Sequence, residues 1–179
     1  DAWDCLKKIS YLNSRMQAVL EYSAMAQFNT KEEFMEGNLF DFIEEYAMNI
    51  LNRSDRLKVQ VVRSDTEGIE MKFVPQNIAI ILDNVVSNST KYNANELRVV
   101  LGKDEKQYTI DFIDDGDGVS SDIADLNELF EFGKGYTLTG TGVGLYHIKD
   151  IVEKDLQGTV TIESEPQKGF ALHVRFGKV

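Results

Sequence analysis

The chain has 179 residues, 42% of them hydrophobic, and carries 30 acidic against 19 basic side chains for a formal net charge of −11. That length, with two prolines, suffices for one domain core and a helical appendage. The excess of carboxylates opposes long-range attraction to nucleic acid or an anionic membrane surface; no apolar run reaches the roughly 20 residues that span a bilayer, and a single cysteine, Cys5, excludes an intramolecular disulfide and suits a reducing, cytoplasmic setting.

From Ala2 to Gln27 there is neither Gly nor Pro, and Ala2, Ile9, Met16 and Ser23 recur every seven residues beside Cys5, Leu12, Val19 and Ala26. This three-four spacing predicts a long helix that buries a seam against other helices, with Cys5 as a small hydrophobe on it. Leu6 and Leu20 widen the stripe enough for a four-helix arrangement, so residues 2–27 are read as a homodimer helix. The competing reading is an amphipathic helix packed within its own chain.

Further on, Asn38 is placed to cap a helix over Leu39 to Asn52, whose Leu39, Phe42, Ile43, Tyr46, Ala47, Ile50 and Leu51 make a broad apolar face. Alternation predicts strands near 57–63, 69–73, 96–102, 107–114, 159–164 and 170–176, with helices at 76–92 and 143–155. Strands on one side and helices on the other give an α+β two-layer sandwich.

Three segments carry chemistry. On the helix 76–92, Ile78, Ile81, Leu82, Val85, Val86 and Ser89 trace an apolar stripe, while Asn84, Asn88 and Lys91 stand four and three residues apart and share another face. Amide oxygens bind a metal or its water, and a lysine pairs with phosphate oxygens; a merely solvated face is the alternative. The strand over Tyr108 to Asp114 runs into Asp115-Gly116-Asp117-Gly118. There Asp114 can accept a hydrogen bond from an exocyclic amine, and the glycines let backbone turn tightly against a planar ring; taken alone, the same residues make a surface turn. Third, Gly140-Thr141-Gly142-Val143-Gly144-Leu145 opens the helix carrying Leu145, Ile148, Ile151 and Val152. Such a loop presents unpaired N–H groups and the positive helix end to an anion, although glycines at this spacing also make hinges. The two histidines, His147 on a helix and His173 in a strand, receive no catalytic role.

The order Asn84-Val-Val-Ser-Asn88-Ser-Thr-Lys91-Tyr92, Asp114-Asp-Gly116-Asp-Gly118, Leu129-Phe-Glu-Phe132 and Gly140-Thr-Gly142-Val-Gly144-Leu resembles the N, G1, F and G2 boxes of the ATP-binding domain of sensor histidine kinases. That family is grouped with gyrase, Hsp90-type chaperones and MutL. The resemblance implies a Bergerat-type two-layer α/β sandwich with a mixed sheet over residues 38–179, preceded by a long N-terminal helix at 1–28, the second helix of a dimerisation hairpin, and a hinge at 29–37. It implies ATP and Mg²⁺ as cofactors under a mobile lid, with Asn88 coordinating the metal, Asp114 binding the adenine amine, and Gly116 and Gly118 shaping the base pocket. Lys91 and Tyr92 are implied to approach the phosphates and sugar, Gly140, Thr141, Gly142, Val143, Gly144 and Leu145 to form the phosphate loop, and Phe132 to anchor the lid near the pocket. Lys134, Tyr136 and Thr137 resemble lid residues that reach the terminal phosphate.

One position divides the superfamily. Gyrase-like ATPases hold a water-activating glutamate where this chain has Asn84, and an amide cannot act as a general base at neutral pH. The expectation is therefore phosphoryl transfer, with Asn84 and Lys91 as its candidate catalytic residues, to a histidine outside these residues, and with a response regulator as downstream partner. Neighbouring Asp83 lies about 100° around the helix and is expected to point elsewhere. Ser89 departs from the family's alanine, fitting the same space but adding a hydroxyl. A nucleotide-gated binding module without kinase activity and an ATPase of the gyrase kind are the alternatives.

Overall fold

A computed structural model describes residues 34–49, 51–53, 56–64, 67–133 and 142–177. The expected helix at 1–28, with its dimer seam, lies outside the described residues, as do Lys134, Tyr136, Thr137, Gly140 and Thr141. The elements are β1 (Met35–Asn38), α1 (Leu39–Asn49), β2 (Lys58–Arg63), β3 (Glu70–Phe73), α2 (Pro75–Lys91), β4 (Glu96–Lys103), β5 (Gln107–Asp114), α3 (Gly144–Lys154), β6 (Thr159–Ser164) and β7 (Phe170–Gly177), with 3-10 turns at Leu51–Arg53 and Leu126–Phe130. The result is an α+β fold of three helices, among the described residues, and a mixed sheet.

Five strands pair in the order β2-β4-β5-β7-β6, and only β2 and β4 run parallel. Register keeps one face apolar across the sheet: Leu97, Val99 and Leu101 stand opposite Asp114, Phe112 and Ile110, and Phe112 and Ile110 stand opposite Leu172 and Val174. These side chains are buried with Ile43 of α1, Ile81, Leu82 and Val85 of α2 and Ile148 and Val152 of α3 in one core. Alternate residues face the other way, and Arg98, Thr161 and Glu163 among them are exposed. Two layers follow, because a pleated strand sends successive side chains to opposite faces and only one face has helices to cover it.

Asn38 caps α1 as its sequence position suggests, its Oδ1 accepting from the Phe40 N–H at 3.0 Å and the Asp41 N–H at 3.3 Å. One boundary differs from expectation. The helix expected to reach Asn52 stops at Asn49, because the Asn52 side chain pairs with β2 as a strand would, donating to the Val59 carbonyl and accepting from the Val59 N–H, both at 2.9 Å. Residues 29–33 of the hinge expected over 29–37 lie outside the described residues, and at its end β1 pairs antiparallel with β3, Met35 opposite Phe73 and Asn38 opposite Glu70. No helix among the described residues is long and apolar enough to cross a membrane.

Candidate functional site

Three pieces of chain meet beside α2. The helix starts with Pro75, whose fixed φ suits a first helical position, and buries Ile78, Ile81, Leu82, Val85 and Ser89 against the sheet. Asn84, Asn88 and Lys91 are half-buried at the margin of that face.

Asn84 is held from two sides. Its Nδ2 donates to the Ile80 carbonyl one turn back at 2.8 Å. Its Oδ1 abuts the first residue of α3, where a Cβ added to Gly144 would lie 2.6 Å away. A side chain there would push the amide aside, and the close contact brings the asparagine helix to the N-terminal end of α3. No side chain caps that end, so the positive pole of the helix stands next to Asn84. By contrast, the side-chain amide of Asn88 makes no hydrogen bond among the described residues.

Lys91 has no carboxylate partner among the described residues. Its Nζ lies 5.3 Å from the centre of the Tyr92 ring, and loss of hydration lowers its pKa from the ordinary lysine value. A half-buried cation with no carboxylate among the described residues is a candidate partner for an anion. Asp83 is committed elsewhere: the Tyr46 hydroxyl of α1 donates to Asp83 Oδ1 at 3.0 Å and lies 3.2 Å from Oδ2. Burial first, and then Asp83, pushes the Tyr46 phenol up to about 12. The geometric exclusion of Asp83 from the asparagine face therefore holds.

At the end of β5, Asp114 is buried at 9% exposure. Its Oδ1 accepts from the Gly116 N–H at 3.0 Å, and its Oδ2 accepts from the Ser89 hydroxyl at 2.7 Å. The second bond joins β5 to α2 and was invisible in the sequence, where Ser89 and Asp114 are distant; the only signal was a serine where the family pattern has alanine. Asp115 turns outward, and its Oδ1 accepts from the backbone N–H groups of Asn95 at 2.7 Å and Glu96 at 2.9 Å, which hold its pKa below the usual carboxylate value.

The glycines of this segment answer to protein backbone. A Cβ on Gly116 would lie 2.6 Å from the Tyr92 carbonyl oxygen, and one on Gly118, at φ +70°, would collide with the Glu165 carbonyl. On their Cβ sides these glycines make close approaches to the end of α2 and to the β6–β7 turn. Asp117 adds two ties: its N–H donates to the Tyr92 carbonyl at 2.8 Å, and its Oδ2 accepts from Asn93 Nδ2 at 2.6 Å.

Around the far side, the Gly133 N–H donates to the Gly142 carbonyl at 3.0 Å. Phe132, 38% exposed, meets Tyr146 of α3 edge-on at 5.3 Å, whereas Phe130 is buried beneath Lys149. Val143 is buried, and Gly142 and Leu145 are half-buried. His173 sits on the opposite face of the sheet with its Nδ1 2.7 Å from Asp111, away from α2.

A family profile described as "Histidine kinase-, DNA gyrase B-, and HSP90-like ATPase" matches residues 73–178. The chain is 27% identical over 172 residues to the sensor protein kinase PilS of Pseudomonas aeruginosa, a match that takes in 92% of this chain and 31% of PilS. The chain thus spans about a third of the length of that relative. Two solved structures share its fold. The nucleotide-free catalytic domain of histidine kinase ThkA superposes with a TM-score of 0.66 at 18% identity, over 82% of this chain and 96% of that one. The Acinetobacter baumannii histidine kinase AdeS does so with 0.63 at 14% identity, over 96% and 81%.

Proposed function

Because the chain belongs to the histidine kinase-, DNA gyrase B- and HSP90-like ATPase family, we propose that it is the ATP-binding catalytic domain of a sensor histidine kinase and passes the terminal phosphoryl group of ATP to a histidine. The observation that carries the kinase over the hydrolase is the state of Asn84. A hydrolase of this family needs a carboxylate there to take a proton from water; this chain has an amide whose nitrogen is bonded to Ile80 and whose oxygen faces Gly144. The nearest carboxylate on the helix, Asp83, is bonded to Tyr46.

In this reading the chain acts by placement and charge, which is most of what phosphoryl transfer asks of a protein. Asp114 accepts from the adenine amine, Lys91 neutralises phosphate oxygens, and the uncapped end of α3 at Gly144 and Leu145 meets the phosphate chain with its N–H groups. Among the described residues no three His, Cys, Asp or Glu side chains gather to hold a metal ion. The amide of Asn88, which makes no hydrogen bond among the described residues, offers an oxygen that would hold Mg²⁺. Bound there, Mg²⁺ supplies charge neutralisation at the phosphates. Gly116 and Gly118 support the base pocket by locking its wall, and Tyr92 and Phe132 border it. Residues 2–27 serve as the dimer helix, a response regulator is the downstream partner, and the domain works on the cytoplasmic side.

The test is to incubate the full-length parent chain with Mg-ATP labelled at the terminal phosphate. Acid-labile, base-stable label on protein is the expected outcome. Release of the label as free phosphate at a comparable rate would overturn the kinase reading in favour of an ATPase, and label that stays in intact ATP would overturn it in favour of a nucleotide-gated module.

A further inference from the structure

We propose that Ser89 is a positioning residue that sets selectivity for adenine over 6-oxopurines, by fixing the base-recognising edge of the site as a surface of hydrogen-bond acceptors alone. The inference rests on the reading that Asp114 meets the base. Ser89 is 1% exposed and Asp114 9%, so neither group has bulk water as an alternative partner. The Ser89 hydroxyl spends its one hydrogen on Asp114 Oδ2 at 2.7 Å, and the other oxygen takes the Gly116 N–H at 3.0 Å. What remains on both groups is lone pairs: about one on each carboxylate oxygen, and those of the serine oxygen.

An edge of this kind welcomes an amine and repels a carbonyl. Adenine offers the amine at its 6-position, whereas guanine and hypoxanthine offer a carbonyl there. The serine matters because of what replaces it. With alanine at 89, the space beside Oδ2 admits a water molecule, and water can turn to donate to a carbonyl as readily as to accept from an amine. Asp114 would also lose one of the two donors that fix its rotation about χ2. Ser89 thereby gives the edge a polarity that a solvated carboxylate lacks.

The experiment titrates this chain calorimetrically with Mg-ADP and with Mg-IDP, whose base carries the 6-carbonyl, before and after Ser89→Ala. The expected result is that the ratio of ADP to IDP affinity falls about tenfold in the variant, as suits the loss of one hydrogen bond to a charged group, and that Ser89→Thr, which keeps the hydroxyl, retains the native ratio. A purely structural role for Ser89 would weaken both nucleotides alike and leave the ratio unchanged, which would overturn the proposal. Ser89→Ala removes only one oxygen and its melting curve shows whether it is folded. If neither variant folds, the same comparison on the native chain with purine riboside diphosphate, which lacks any 6-substituent, decides: binding as tight as ADP overturns the proposal. Asp114→Asn separates the two levels of inference. If it leaves ADP binding intact, the adenine site itself is wrongly placed; if it collapses the ratio while Ser89→Ala does not, the site stands and the role of Ser89 falls.

Discussion

Replacing Gly118 by alanine tests why this segment is glycine-rich. Gly118 lies at φ +70°, in the left-handed region that costs an L-residue about 1–2 kcal/mol. Its new methyl would collide with the Glu165 carbonyl oxygen and lie 2.9 Å from that of Gly169 and 3.1 Å from Ser164 Oγ. None of these can step back freely. The Glu165 carbonyl accepts from Lys168 N–H at 3.1 Å, Gly169 accepts from the Ser164 hydroxyl at 2.7 Å, and Gln167 N–H donates to the Asp117 carbonyl at 2.6 Å, so the β6–β7 turn is bonded both within itself and to the glycine segment. Overcrowding of that kind costs about 1–3 kcal/mol, offset by about 0.4–1 kcal/mol because alanine restricts the unfolded chain. The net expectation is a loss of about 1–5 kcal/mol, which for a domain of this size lowers Tm by roughly 3–15 °C. The assay is thermal unfolding without nucleotide, followed by ADP titration at a temperature where both proteins are folded. If Tm is unchanged and only nucleotide affinity drops, the glycine serves the base and the reasoning from the β6–β7 turn is refuted.

Other substitutions follow from the same contacts. Lys91→Met removes a cation whose pKa burial lowers from 10.5; the folded state holds that proton less firmly than the unfolded chain, so the native protein gains stability as pH rises from the lowered value towards 10.5, a rise the variant should lack. The variant should melt slightly higher at neutral pH yet bind ATP about tenfold more weakly by titration. Tyr46, with its phenol at about 12, is an acid whose folded pKa is raised, so its contribution is full below 10 and is lost as pH rises towards 12; ultraviolet titration should show Asp83→Asn bringing it down. Asp83→Asn should leave phosphoryl transfer unchanged, and a tenfold fall would show that Asp83 reaches the reacting phosphate. Asp115, with its pKa held below 3.8 by the Glu96 and Asn95 N–H groups, contributes stability that is complete above 3.8 and lost as pH falls through its folded value. Asp115→Asn should therefore flatten the acid limb of the stability curve, followed by thermal unfolding as a function of pH.

Periodicity located the layers of this fold because burial is one-sided. β6 and β7 alternate, β5 does so as far as Phe112, and α2 carries its apolar stripe at helical spacing, so the sequence marks these without reference to distant residues. β1 escaped because four residues containing a glycine show no alternation, and its reason to be a strand is β3, more than thirty residues away. The end of α1 escaped because Asn52 reads as a helix residue until its amide is seen on Val59. At the site, spacing on one helix was enough to group Asn84, Asn88 and Lys91. The partner of Asp114, the reason for Gly144 and the destination of Asp83 are pairings between separate elements, and a linear pattern holds no record of those.

A chain with net charge −11 that binds a polyanion must keep its carboxylates from the phosphates, and the contacts show how this is done without removing acids from the neighbourhood. Asp83 is taken by Tyr46, Asp115 by the first N–H groups of β4, and Asp117 by Asn93. Each faces away from the shared side of Asn84, Asn88 and Lys91 or is neutralised by a fixed donor. In the proposed site Asp114 keeps acceptor capacity for the base beyond its bonds to Ser89 and Gly116, and Lys91 on that helix face is a cation without a carboxylate among the described residues. Because interactions between charges are weak in water and strong where water is displaced, these local pairings outweigh the distant surplus of negative charge. On the proposed reading, the arrangement separates a base end that accepts hydrogen bonds from a phosphate end that is positive, a polarity that would orient a nucleotide in one direction only.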